Sequence, residues 1–173
     1  MYARGFTLLE LLISLTILAL LMTTGLPSFS AQIKSNRLKT TTMYLLESVE
    51  FTRNQAVTAN TRAVIKHQGK WEDGWEVFID NNDNGIRDED EKALTIGEKT
   101  TDIHITPNQP LKNYISFIGT GESRFVGKVN GGAFQAGTIK ICTDTNTNGY
   151  ELILARSGRM RMNEIDSVAC EAN

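Results

Sequence analysis

Hydrophobic positions change their rhythm twice along the chain. From Phe6 to Leu26 they run almost without a break, and the one charge in the run is Glu10. The run is about 21 residues, roughly 30 Å as a helix, which is the thickness of a bilayer core. From Ile33 onward Ile33, Leu38, Leu45, Val49 and Ala56 recur at helical spacing, with Lys34, Arg37, Lys39 and Arg53 between them. That spacing predicts an amphipathic half-helix packed on a globular head and ending near Ala59 or Asn60. Pro27, preceded by Gly25, predicts a kink or local melting between the two halves.

After Asn60 the period shortens. The segments TRAVIKHQG, WEVFID, KALTIGE, DIHITP, YISFIG, GTIKICTD and YELILARSGRMRM are short and rich in β-branched and aromatic residues, and Gly, Asn or Pro punctuates them. They predict a mostly antiparallel sheet, or more than one, lying on the helix. The fold class is α+β. The organisation divides into residues 1–5, an apolar helix over 6–27, its amphipathic continuation over 28–60, and a β-rich head over 61–173.

Composition sharpens this picture in two places. The 173 residues carry a formal charge of −2, but unevenly. Glu72 to Asp102 holds 11 acids against 3 bases, whereas Ile103 to Asn163 holds 7 bases against 3 acids. An acidic lobe and a mildly basic one are not the footprint of a dedicated nucleic-acid protein. The two cysteines, Cys142 and Cys170, have no nearby histidine and no CxxC spacing, which argues against a metal or redox site. In a head outside the cytoplasm they read as a structural disulfide.

Catalytic signatures are missing. There is no glycine-rich phosphate loop after a strand, no G-x-S-x-G and no H-E-x-x-H. His67 and His104 fall on predicted strands and read as surface or cross-strand residues. The chain is not read as an enzyme, and no cofactor is expected.

A carboxylate inside a spanning helix costs roughly 2.5 to 3.5 kcal/mol on insertion scales, so Glu10 calls for a reason. Arg4 supplies a basic residue before the apolar run, and no A-x-A cleavage site follows it, so the helix is expected to be retained. Arg4 on the short leading side fits export of the bulk of the chain. The stretch RGFTLLELLISLTILALL resembles the type III signal of type IV pilins and type II secretion pseudopilins. The resemblance implies cleavage between Gly5 and Phe6 by a prepilin peptidase and N-methylation of Phe6. It also implies that Glu10, fifth in the mature chain, docks against the new N-terminal amine, often that of a neighbouring subunit. The physics agrees, because a buried carboxylate needs a cationic partner.

Two further stretches resemble one branch of that family. GWEVFIDNNDNGIRDEDE is similar to a segment of the GspH/FimT group of minor pilins and pseudopilins. ARSGRMRM, Ala155 to Met162, is similar to the terminal G-R-x-R strand of FimT- and FimU-type minor pilins. The pilin-like fold so implied is a long N-terminal helix on an antiparallel β-rich head.

Each stretch has a second reading. DNNDNG, Asp80 to Gly85, and DTNTNG, Asp144 to Gly149, are near copies with the Asn-Gly of a hairpin turn. The first also fits a calcium loop, with Asp80, Asn82, Asn84, Asp88 and Glu91 as ligands beside the Ile86 carbonyl. Flanking strands in place of helices, Arg87 after Ile86, and Ala155 where the second copy needs a glutamate favour a solvated acidic hairpin instead. In the basic stretch, Arg159 and Arg161, helped by Arg156 and Lys140, match the residues with which some FimT-type pilins bind DNA. Gly158 would let a backbone or a phosphate approach closely at that edge, and Met160 and Met162 would point inward. The other reading is an edge strand whose arginines keep it soluble.

What the resemblance implies is a minor pilin that helps start a type IV pilus and sits at or near its tip, with a contribution to DNA binding and uptake. The alternative is a GspH-type pseudopilin of a type II secretion system. Implied partners are the prepilin peptidase, other minor pilins or pseudopilins, the major pilin, and DNA. The implied location is the inner membrane, single-pass with the head in the periplasm, before assembly into a pilus or pseudopilus.

Overall fold

The computed structural model describes residues 5–127, 132–143 and 148–171, without the side chains of 24–28 and 171. Two compact units divide it, one ending at Arg37 and one beginning at Leu38. Helix α1 runs from Leu8 to Ala59. It is helical through Pro27, so the local melting expected there does not occur. A proline removes one N–H donor and crowds one carbonyl, a local loss that the 52-residue helix spans without ending.

In the first unit the polar residues of the apolar run hide their hydroxyls. Ser14 donates to the Glu10 carbonyl at 2.7 Å, Thr16 to that of Ile13 at 2.8 Å and Thr23 to that of Leu20 at 2.9 Å. Leucines and isoleucines from Leu8 to Leu21 are exposed around the helix, an apolar surface that requires lipid or protein around it. Among the described residues no helix is long and apolar enough to cross a membrane. The fully described part of the run, residues 8–23, falls short of the ~20 residues a span needs.

In the second unit the helix buries Leu38, Leu45, Val49 and Ala56. Thr42, Ser48 and Thr52 are buried beside them, each hydroxyl bonded to the carbonyl four residues earlier. These small side chains leave room for the sheets to pack close to the helix. The helix ends on a Schellman motif: Asn60 adopts φ +49°, its N–H bonds the Val57 carbonyl, and the Thr61 N–H bonds that of Ala56.

Among the described residues eight strands follow: β1 Arg62–His67, β2 Trp75–Asp80, β3 Ala93–Ile96, β4 His104–Pro107, β5 Tyr114–Phe117, β6 Gly137–Cys142, β7 Gly149–Leu154 and β8 Met160–Ile165. They form two four-stranded sheets, ordered β3-β2-β1-β5 and β4-β6-β7-β8. Every pairing is antiparallel. Val49 of the helix, Ile65, Val77 and Ile115 of the first sheet, and Ile139 and Leu152 of the second share one core. A five-residue helix α2, Ser167–Glu171, closes the described chain.

One expected segment divides. YELILARSGRMRM is a hairpin of β7 and β8. The Gly158 N–H bonds the Ala155 carbonyl, and the Ala155 N–H bonds that of Arg159. Gly158 makes the turn at φ +80°, where a side chain is disfavoured.

Candidate functional site

Three places hold the residues singled out by the sequence. The first is the start of α1. Phe6 is 80 % exposed, and a Cβ on Gly5 would meet nothing within 4 Å. Glu10 and Thr7 cap each other. Glu10 Oε2 accepts the Thr7 N–H at 3.2 Å, and Thr7 Oγ1 accepts the Glu10 N–H at 3.2 Å. Such a capping box satisfies two of the helix's orphan donors. The signal was legible as T-x-x-E before an apolar run, but attention to the charge alone passes over it.

The second place is the loop from Asn81 to Lys92. It is not a tight Asn-Gly hairpin, and its carboxylates are not all solvated. Asp80 and Glu91 are 1 % and 3 % exposed. Asp80 Oδ1 accepts the Asn84 N–H at 3.1 Å and Oδ2 that of Gly85 at 2.8 Å. Glu91 Oε1 accepts the Asn81 N–H at 2.7 Å and Oε2 that of Asp88 at 3.2 Å. Asp88 Oδ2 receives the amides of Asn82 and Asn84. The side chains named for calcium thus already serve the loop's own donors. Among the described residues no group of three or more acids, histidines or cysteines is placed to hold a metal ion. Burial pushes the Asp80 carboxyl above its ordinary range, opposed by the N–H groups of Gly85 and Asn84. Residues 144–147 of the second copy lie outside the described residues.

Arg62 anchors this loop. Its guanidinium is buried and donates to Asp83 Oδ1, to Ser116 Oγ and to the Arg124 carbonyl. Gln135, also buried, accepts the Ser116 N–H and donates to the Pro110 and Tyr114 carbonyls. No sequence pattern flagged either residue, since a buried arginine or glutamine is recognisable only from its partners.

The third place is the edge strand β8. Met160 is buried and Met162 packs on the core, while Arg156, Arg159 and Arg161 are exposed. Lys140 does not join them as a free cation. It is half-buried, and its Nζ donates to the Ala169 carbonyl at 2.8 Å. Glu151 lies between Lys140 and Asn163 in the ladder, so the outer face carries a negative charge as well. Gly158 offers no opening to a phosphate: it is buried, and a Cβ there would run into the Gly121 carbonyl and Arg53. The close approach that the glycine permits is taken up within the chain. What remains is three solvent-facing guanidinium groups around one hairpin end.

The remaining singled-out residues are structural. A disulfide joins Cys142 to Cys170 and ties α2 to the end of β6. His104 stands opposite Cys142 on β4. His67 meets Trp71 edge to face, and burial, with Lys66 beside it, lowers its pKa.

The model of the family described as type II transport protein GspH matches residues 41–158. That of the prokaryotic N-terminal methylation motif matches residues 1–26. Two crystal structures of the type IV minor pilin FimU from Pseudomonas aeruginosa strain PAO1 have a similar fold. One, in space group P21, gives a TM-score of 0.56 at 16% identity, over 75% of this chain and 90% of that one. The other, in P65, gives 0.55 at 16% identity, over 73% and 92%. No curated protein sequence matches.

Proposed function

The chain belongs to the family of the type II transport protein GspH, and from that membership we propose that it is a minor pilin that helps start assembly of a type IV pilus and sits at or near the fibre tip. Minor pilins and pseudopilins are structural proteins, not enzymes. They are processed at an N-terminal methylation motif and associate with other pilins. The observation that carries the reading is the joining of that motif to a two-sheet head with the fold of the minor pilin FimU.

In this reading a prepilin peptidase removes residues 1–5 and methylates Phe6. Residues 6–27 anchor the chain in the inner membrane and later enter the filament core. Residues 28–60 continue the helix, and residues 61–173 form the head in the periplasm. Gly5 supports this order of events, because nothing within the fold crowds it. A requirement for glycine there would come from the peptidase. Glu10 then exchanges its cap on Thr7 for the amine of a neighbouring subunit.

The second reading is a minor pseudopilin of a type II secretion system, favoured by the family's name, type II transport protein GspH. The two separate in a strain lacking the chain. Loss of surface fibres with secretion intact supports the pilus reading, and loss of exported enzymes with fibres intact overturns it. DNA binding through Arg159 and Arg161, with Arg156 beside them, is an added role of the pilus reading. It rests on their shared exposure.

A further inference from the structure

The strand β3 closes one edge of the first sheet, with β2 on its inner side. Its flanks read Glu91-Lys92-Ala93-Leu94-Thr95-Ile96-Gly97-Glu98-Lys99, which is nearly self-complementary about Thr95. Inverted on itself, the segment sets Lys92 against Glu98, Leu94 against Ile96 and Thr95 against Thr95. The four residues that flank Thr95 in these charged and apolar pairs are exposed. Lys92 and Glu98 are exposed, Leu94 is 39 % exposed and Ile96 58 %. Neither Lys92 nor Glu98 has an ion pair among the described residues. Glu91 and Lys99 are engaged within the chain, Lys99 with Asp73 at 2.9 Å, so the complementary stretch ends at 92 and 98.

The backbone agrees in parity. Gly97 donates its N–H to the Trp75 carbonyl at 2.7 Å and Thr95 pairs with Val77, so these residues face β2. By the alternation of an antiparallel ladder, Ile96 turns its N–H and C=O groups to the open edge, whereas a bulge at Leu94 interrupts the alternation there. A register shift between Val77 and Phe78 leaves Leu94 without a partner on β2. Among the described residues the Ile96 carbonyl accepts the Tyr44 hydroxyl, at 3.3 Å, and it has a second lone pair. In the inverted pairing, Leu94 and Ile96 of opposite copies would stand opposite each other, with Ile96 supplying the edge-facing backbone groups. Thr95 would face Thr95 between them, as a non-bonded pair.

We propose that β3 is a self-association edge, on which a second copy of this chain adds antiparallel about a two-fold axis at Thr95. An isologous contact needs one self-complementary patch, and here charge and apolar area invert onto themselves. Exposed edges of sheets invite such pairing. The strand is only four residues long, so the dimer is weak and is best detected by trapping or by local concentration. The proposal does not rest on the pilin reading, because it concerns the open edge of β3 alone.

The test uses the full chain in membranes. Lys92→Glu faces each Glu98 of a like copy with a glutamate, and Glu98→Lys faces each Lys92 with a lysine. Each variant alone should lose association with its own kind by roughly ten-fold, since like charges directly opposite destabilise a strand pair. Mixed together, the two variants are complementary at both ends, so differently tagged copies should co-purify again. Thr95→Cys gives a second readout. The native cysteines are already joined, so oxidation should yield a disulfide dimer well above that from Val168→Cys on α2. Lys92→Glu should lower that yield, and adding Glu98→Lys should restore it. Association indifferent to the charge reversals, mixed variants that fail to pair, or Thr95→Cys trapping no better than Val168→Cys would overturn the proposal. Anchor-driven association or capture by another protein would give that same indifference.

Discussion

Glu10 Oε2 holds the backbone N–H of Thr7 at 3.2 Å, and Thr7 Oγ1 holds that of Glu10 at the same distance. The carboxylate that looks out of place in an apolar helix is therefore the cap of that helix. A cap and a docking charge make different demands. A cap needs an acceptor oxygen, whereas a docking charge needs the negative charge itself.

Glu10→Gln keeps the acceptor and removes the charge, and Glu10→Ala removes both. Membrane insertion should be intact or improved in each. Loss of the cap in the alanine variant should cost about 1 kcal/mol of helix stability. Incorporation beside another subunit should fall equally in both, measured by crosslinking in assembled fibres. Normal incorporation of the glutamine variant would leave capping as the residue's whole role.

Gly5→Val should block processing. A side chain at Gly5 meets nothing in the fold, so the head should fold as before while the uncleaved chain accumulates in the inner membrane. Mass spectrometry of the native protein should find N-methyl-Phe6 as the first residue. Full-length chains in assembled fibres would contradict the processing scheme.

Reduction of the Cys142–Cys170 bridge should lower the melting temperature of the protein. The bridge spans 28 residues in sequence, and closing a loop of that size stabilises by about 3 to 4 kcal/mol in the chain-entropy model. Lys140 should become more mobile at the same time, because its amino group is held by the Ala169 carbonyl of the tethered helix. Free thiols on natively folded protein would rule out the bridge.

Asp80 sets a pH dependence. Burial raises its pKa in the folded state above the ordinary ~3.9. The folded chain then binds the proton more tightly than the unfolded one. The resulting stability is fully present below ~3.9 and is lost as pH rises through the raised value. Asp80→Asn should flatten the melting-temperature profile across that window. Asp80→Ala should instead destabilise by roughly 1 to 3 kcal/mol, since the Asn84 and Gly85 N–H groups lose their acceptor. Calcium should shift the melting temperature little. A site filled at about a hundredfold over Kd would add roughly 2.7 kcal/mol, and a shift of that size lost in Asp80→Ala would reinstate the metal reading.

The elements that sequence made legible share a physical cause. Leu38, Leu45, Val49 and Ala56 pack on one side of a helix, so their spacing records the geometry directly. The strands likewise announce themselves through β-branched runs between turn residues. The misreadings fall where backbone groups choose the partner. Asp80 and Glu91 look like solvated acids because nothing in their neighbours' hydropathy reveals that four loop N–H groups will point at them. The β7–β8 turn was hidden because no Asn-Gly or Pro marks it within YELILARSGRMRM, and Gly158 turns the chain at positive φ. Gly158 was legible as a close-approach residue. Its neighbour is the Gly121 carbonyl of the same chain, which one-dimensional reading cannot supply.

DNA binding, if the head has it, falls on Arg159 and Arg161. Both are exposed at the edge strand, and neither carries an ion pair among the described residues. Arg156, exposed in the turn beside them, can add a third phosphate contact. Lys140 contributes less, since its amino group is bonded to Ala169 and Glu151 lies beside it in the ladder. Two or three guanidinium groups on a phosphate backbone read no base edges, so binding should be indifferent to sequence. It should also weaken with salt, with a log–log slope near −0.9 for each phosphate neutralised on duplex DNA, or roughly −2 to −3 in all. A mobility-shift series across salt should show Arg159→Gln/Arg161→Gln reducing both affinity and slope, and Lys140→Gln changing them little. A Lys140→Gln effect as large as the double variant's would move the contact to the outer face of the sheet. Equal binding by the double variant and the native protein would remove DNA from the function and leave assembly as its role.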